Sequence, residues 1–187
     1  MVGPLKSPTG ALITDDCDEA TLLNYYFGSV FTNDDGVVPP LEHRVPHDIF
    51  LDTVDISEDI VLKHVNKCKP GTAAGPDGIP NSFLKMFKFT LVTPVNVLFK
   101  YLLNLGKYPL QWKLAHITPI FKKGLSSDVS NYRPISLTSV FWKLLEHVVQ
   151  KQMLDYLLIN KLISRHQHGF LSKLSTCTQL LETVNSH

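Results

Sequence analysis

Cysteine is scarce and scattered: Cys17, Cys68 and Cys177 lie far apart, are odd in number and form no C-x-x-C pair. That spacing excludes a disulfide framework and suits a reducing intracellular compartment. His166 and His168 flank Gln167, but no cysteine or carboxylate stands nearby at ligand spacing, which argues against structural zinc. No apolar run approaches the roughly 18 residues of a membrane span. Met1 to Gly10 has neither the basic start nor the apolar core of a secretory signal. Neither secretion nor a membrane partner is expected. Carboxylates are sparse in the body of the chain, with five acids against sixteen Lys and Arg over residues 61–187. Residues 1–60 are the reverse, with twelve acids against Lys6 and Arg44. The net charge of +1 hides an acidic lead and a basic body suited to a phosphate backbone, although lysines that merely solvate helix faces would read the same way.

With 187 residues and 44% hydrophobic content, there is enough apolar material for one core plus a lead-in segment. Residues 1–14 are Pro and Gly rich and read as loose. A helix is expected over 18–31, with Asp15, Asp16 and Asp18 near its positive end. The segment 32–55, with Pro39, Pro40 and Pro46, reads as a connector. Helices follow at 57–68, 81–89 and 90–105, the last with Leu91, Val95, Leu98 and Leu102 as its apolar face. Between the first two lies Gly75-Pro-Asp-Gly-Ile-Pro80, whose composition makes a rigid turn. The longest helix is expected from Thr138 or Ser139 to Asn160, with apolar pairs repeating about every four residues and Lys143, His147 and Lys151 on another edge. Gln167 to Phe170 reads as a turn, and Ser175 as the cap of a final helix through Leu180 and Leu181.

Between these helices, Trp112 to Gly124 and Asn131 to Leu137 form two short apolar runs joined by a polar loop. This predicts a β-hairpin, its first strand marked as an edge by Pro119. Lys122 and Lys123 leave the first run, and Arg133 enters the second. A guanidinium and mobile ammonium groups on one hairpin form a device for holding phosphates. An exposed pairing of Arg133 with Asp128, and lysines that only solubilise the loop, are the alternatives. Trp112 and Phe170 read as core or platform residues.

Four blocks in order, Gly75 to Ile79, Trp112 to Gly124, Asn131 to Leu137 and Gln167 to Phe170, resemble the reverse transcriptase of non-LTR (LINE-type) retrotransposons. The resemblance covers about residues 57–187, with a weaker match to the family's linker at Leu23 to Thr32. It implies an α+β, mainly α-helical fold: the fingers part of a right-hand polymerase with one short β-hairpin. Residues 1–56 would be an acidic linker-like lead with one helix, and 57–187 the fingers part of the polymerase domain. The resemblance further implies that Lys122, Lys123 and Arg133 contact the triphosphate of a dNTP, and that Asp77, Gly78 and Gln167 lie beside an RNA template. The family commonly has a basic residue directly after the Gly-Phe pair; here Leu171 stands there and Lys173 follows two positions later.

Phosphoryl transfer in such enzymes needs palm carboxylates that hold two metal ions. In this family they come from a strand and an aromatic-x-Asp-Asp turn beyond the last block. Phe31-Thr-Asn-Asp-Asp35 has the wrong spacing and precedes the fingers blocks, so it reads as a helix exit. The expectation is a segment of an RNA-directed DNA polymerase, cytoplasmic or nuclear, without catalytic aspartates and inactive alone. RNA template, DNA primer, dNTPs and magnesium would belong to the complete enzyme, with no obligate protein partner evident. A stand-alone helical RNA-binding or adaptor module, or a functionless remnant of such an element, is the alternative.

Overall fold

The computed structural model describes residues 2–32, 36–37 and 50–185. Asp34 and Asp35, and most of the Pro-rich connector, lie outside the described residues. The chain runs through β1 (Leu5–Lys6), β2 (Leu12–Ile13), α1 (Asp16–Ser29), α2 (Glu58–Lys67), α3 (Asn81–Met86) and α4 (Lys88–Leu105). It continues through β3 (Ala115–Phe121), β4 (Tyr132–Thr138), α5 (Val140–Ile159) and α6 (Thr176–Asn185), with short 3-10 turns before β3 and β4. The architecture is α+β and mainly helical. Among the described residues, no helix is long and apolar enough to cross a membrane.

Local chemistry sets the helix starts. Asp15 begins α1 earlier than expected because its Oδ1 accepts from the backbone N–H groups of Cys17 and Asp18, at 3.0 and 3.1 Å. Ser57 Oγ accepts from Ile60 N at 3.4 Å and caps α2. Ser175 Oγ accepts from Thr178 N at 3.3 Å at the head of α6.

The main core is a three-helix contact. Val61 and Val65 of α2 meet Val92, Val95 and Phe99 of α4 and Leu144, Leu145 and Val148 of α5. Of the expected apolar face of α4, Val95 and Leu102 are buried and Leu91 packs against the core, but Leu98 is exposed, and Val92, Asn96 and Phe99 are buried as well. Asn96 is a polar residue at a core position. Its Nδ2 donates to the Ile56 carbonyl, which satisfies the buried amide. Gln152 of α5 grips the neighbouring backbone from both sides, its Oε1 accepting from Asp55 N at 2.7 Å and its Nε2 donating to Asp55 O at 2.6 Å. Two side-chain amides therefore moor the entry to α2. Neither contact has a local sequence signature, since each spans 40 residues or more.

A second, smaller core joins the lead to the hairpin. The segment 1–14, expected to be loose, contains an antiparallel ribbon pairing Leu5 with Ile13 and Lys6 with Leu12. This is a correction to the expectation of a single hairpin. The reason is burial: Leu5 is fully enclosed with Leu23, Phe27 and Tyr132. Lys6 N also donates to Ser127 O at 2.7 Å, in the loop between β3 and β4.

Candidate functional site

The β3–β4 hairpin is antiparallel with Pro119 opposite Pro134, Ile120 opposite Arg133 and Phe121 opposite Tyr132. Lys122 N donates to Asn131 O at 2.9 Å, which sets the alternation of the ladder. Ile120 and Arg133 then form a bonded pair, while Pro119 and Pro134 fall at an unbonded pair with their nitrogens turned to the outer edges. The two prolines cost the ladder nothing. They also remove a donor from each edge, which discourages further strand addition.

Side chains alternate across the ribbon, so Tyr132 and Arg133 point to opposite faces. Tyr132 is buried in the second core, its ring 5.6 Å from Phe121 and its hydroxyl donating to Ser126 O at 2.8 Å. Ile117 and Pro119, on the same back face, line a cavity of about 390 Å3 with Asp16, Glu19, Leu23 and Phe27 of α1. The acidic lead thus backs the hairpin. Arg133 and Lys122 share the front face, Lys122 lying diagonally across the ladder beyond Asn131, and Lys123 follows at the loop. All three cations are exposed, and their side chains make no hydrogen bond or ion pair with the described residues. Asp128, the alternative partner of Arg133, is occupied: its Oδ1 accepts from Ser130 N at 2.9 Å and Ser130 Oγ at 2.7 Å. These bonds hold its carboxyl below the usual carboxylate range.

The Gly75–Pro80 turn packs at the root of this hairpin. A Cβ at Gly75 would lie 2.4 Å from the Thr138 carbonyl oxygen, so glycine is needed for the close approach. Gly78 has φ +68° and its N–H donates to Gly75 O at 3.0 Å, while Asp77 Oδ1 accepts from Ile79 N at 3.1 Å. Asp77 is therefore engaged within its own turn. Trp112, just ahead of β3, is walled by Phe99 edge-on at 6.4 Å and stacked with Phe141 at 6.4 Å and 10°. It anchors the hairpin to the core. The sequence identified the cations but not their backing by the lead; the only local signal was the apolar aromatic Tyr132 beside Arg133.

Gln167 lies elsewhere in the fold. It lines a groove of about 880 Å3 between α4, α5 and the following loop, with Leu102, Leu145 and Leu157 among its neighbours, and no hairpin residue borders it. Its Nε2 donates to Gly169 O at 3.0 Å. The turn around it is clamped to α6. His168, buried, places Nδ1 2.7 Å from Thr178 Oγ1 and Nε2 2.5 Å from Glu182 Oε2, while His166 Nδ1 is 2.9 Å from Glu182 Oε1. Gln179 adds bonds to His168 N and to His166 O, at 3.3 and 3.0 Å. The hydrogen bond from His168 holds the Glu182 carboxyl below its usual range. A depressed carboxylate stabilises the docked α6 above the unfolded-state pKa, and that contribution is lost as pH falls through the folded-state value. Protection factors for hydrogen exchange over 164–185, taken against the intrinsic rate at each pH, should therefore fall as pH drops through and below the ordinary carboxylate range, and Glu182→Gln should flatten this response. An unchanged profile in the variant would refute the clamp.

The described residues do not fit a two-magnesium centre. Asp77, Asp128 and Glu182 are held in the local bonds above, Asp155 pairs with Lys151, and no cluster of three or more His, Cys, Asp or Glu among the described residues could hold a metal ion.

No family model matches the chain. Among curated proteins, the probable RNA-directed DNA polymerase from transposon BS of Drosophila melanogaster is 24% identical over 190 residues, covering 95% of this chain and 20% of that protein. The RNA-directed DNA polymerase from mobile element jockey of the same fly is 31% identical over 114 residues, covering 60% of this chain and 12% of that protein. The retrovirus-related Pol polyprotein from type-1 retrotransposable element R1 of Bradysia coprophila is 31% identical over 124 residues, covering 65% of this chain and 12% of its own length. The chain thus spans between 12% and 20% of these relatives. Over much of its length, it is homologous to the RNA-directed DNA polymerases of non-LTR retrotransposons.

Proposed function

We propose that this chain is the fingers region of an RNA-directed DNA polymerase of a non-LTR retrotransposon, residues 57–187, preceded by a linker-like lead. The β3–β4 hairpin grips the triphosphate of an incoming dNTP through Arg133 with Lys122 and Lys123. The observation that carries this reading is the two-faced ribbon: one face is buried against the lead, while the other presents cations that have no partner among the described residues. An unpaired guanidinium on a two-stranded support retains its fork of donors for phosphate oxygens. The turn at Gly75–Pro80 packs at the hairpin root, which favours a place for Asp77 and Gly78 beside the RNA template. Gln167 is assigned to the template by resemblance.

Metal-dependent phosphoryl transfer is assigned to palm carboxylates outside this chain, since no cluster of three or more His, Cys, Asp or Glu among the described residues could hold a metal ion. By this reading the segment alone does not polymerise. Template RNA, primer DNA and magnesium act with it in the longer protein. The test is photolabelling of a protein of the relatives' length with a dNTP carrying a reactive group on its γ-phosphate, followed by peptide mapping. Label should fall within residues 115–138. A polymerising protein labelled only outside that span would overturn the assignment.

A further inference from the structure

Helix α1 turns two stripes of residues toward the back of the hairpin. Glu19, Leu23 and Phe27 are buried, while Asp16, Ala20 and Asn24 beside them are exposed, each stripe following the helical repeat. Both stripes, with Ile117 and Pro119 of β3 opposite, line the cavity of about 390 Å3. Glu19 is the anomaly there. It is only 6% exposed, yet its side chain accepts no hydrogen bond and enters no ion pair among the described residues. The helix dipole favours a carboxylate in the first turn, but it does so equally for exposed Asp16 and Asp18 and does not account for burial. Enclosing a charge without a partner is costly, so buried carboxylates are normally paired. No Lys or Arg lies on α1, and none of the described residues lining the cavity is one.

We propose that this cavity is a binding site for an alkylguanidinium, the chemistry of an arginine side chain, with Glu19 as its counter-ion. The walls select that chemistry. Leu23, Phe27, Ile117 and Pro119 offer apolar contact to a methylene stem, and the Glu19 carboxylate accepts the two parallel donors of a guanidinium fork. Asp16, at the exposed rim, adds a second negative charge. A guanidinium is more weakly hydrated than an ammonium and loses less on entering such a cavity. A hard divalent cation fits poorly, because it needs six or more oxygen ligands and the lining offers two carboxylates and one amide amid apolar walls. The occupant bridges α1 and β3 behind the hairpin and uses none of the residues assigned to triphosphate or template.

The test is a magnetic-resonance titration of the isotope-labelled 187-residue chain with two probes: agmatine, a free alkylguanidinium, and an arginine tripeptide blocked at both ends. Citrulline and lysine tripeptides run alongside. The guanidinium probe that binds should shift amide signals in α1 and β3, whereas citrulline, which keeps the shape and loses the charge, should leave them unmoved, and lysine should bind more weakly. Glu19→Gln should weaken guanidinium binding by roughly tenfold or more, and Asp16→Asn by less. Because Glu19 has no partner to lose, Glu19→Gln should leave the melting temperature no lower, which separates a lost ligand contact from a lost fold. Binding of the tripeptide identifies a protein arginine as an occupant; binding of agmatine alone identifies a free small molecule. No shift by either probe, unchanged affinity or a lowered melting temperature in the Gln variant, or citrulline or lysine binding as tightly as arginine would overturn the site.

Discussion

Arg133→Ala should weaken binding of the incoming triphosphate by about ten- to a hundredfold in a polymerising protein of the relatives' length, seen as a rise in KM for dNTPs. The magnitude follows from losing hydrogen bonds to a charged acceptor, about 1.5 to 3 kcal/mol, at about 1.4 kcal/mol per factor of ten. Arg133→Lys should fall between, since it keeps the charge but loses the planar fork. Stability should barely move. The Arg133 side chain is exposed opposite Ile120 and bonds to no described residue, so truncation leaves nothing buried and unpaired. Such surface changes usually stay within about 0.5 kcal/mol. Lys67→Ala, at the exposed end of α2, should leave KM unchanged. Equal effects from the two alanines would remove Arg133 from the triphosphate.

Phe99→Ala is expected to cost about 3 to 5 kcal/mol, the usual range for emptying a buried aromatic position. That is a large part of the roughly 5 to 15 kcal/mol that holds a native domain together. Phe99 is wholly buried, belongs to the α2–α4–α5 core, and forms one wall of the Trp112 site. Calorimetry should therefore show a melting temperature lower by roughly 6 to 20 °C, at about 2 to 4 °C per kcal/mol for a chain of this size. Indole emission should also shift to the red as water reaches Trp112. Phe89→Ala provides the contrast, since Phe89 lies mostly exposed on the same helix. If the two variants melted alike, Phe99 would not be the keystone assigned here.

These two residues separate what is local from what is not. Arg133 was legible because the cation, the polar loop and the flanking apolar runs are neighbours in sequence, and strand alternation then assigns it a face. The core face of α4 was harder to read. Asn96 looks polar in any periodicity count and becomes a core residue only because the Ile56 carbonyl arrives from 40 residues away. Leu98, hydrophobic in the same count, was left outside. Phe170 followed the same logic in reverse, since an aromatic normally reads as a candidate for burial and here is fully exposed.

By itself, the order of residues determined the helices, their caps, the hairpin with its cations and the kinship with retrotransposon polymerases, because these depend on spacing and turn chemistry within a few residues. Only tertiary structure decided that the acidic lead folds onto the back of the hairpin, that Gly75 abuts Thr138, and that His166 and His168 fasten their turn to α6. These contacts join segments distant along the chain, and their partners are chosen by burial and by the need to satisfy enclosed polar atoms, neither of which leaves a periodic mark.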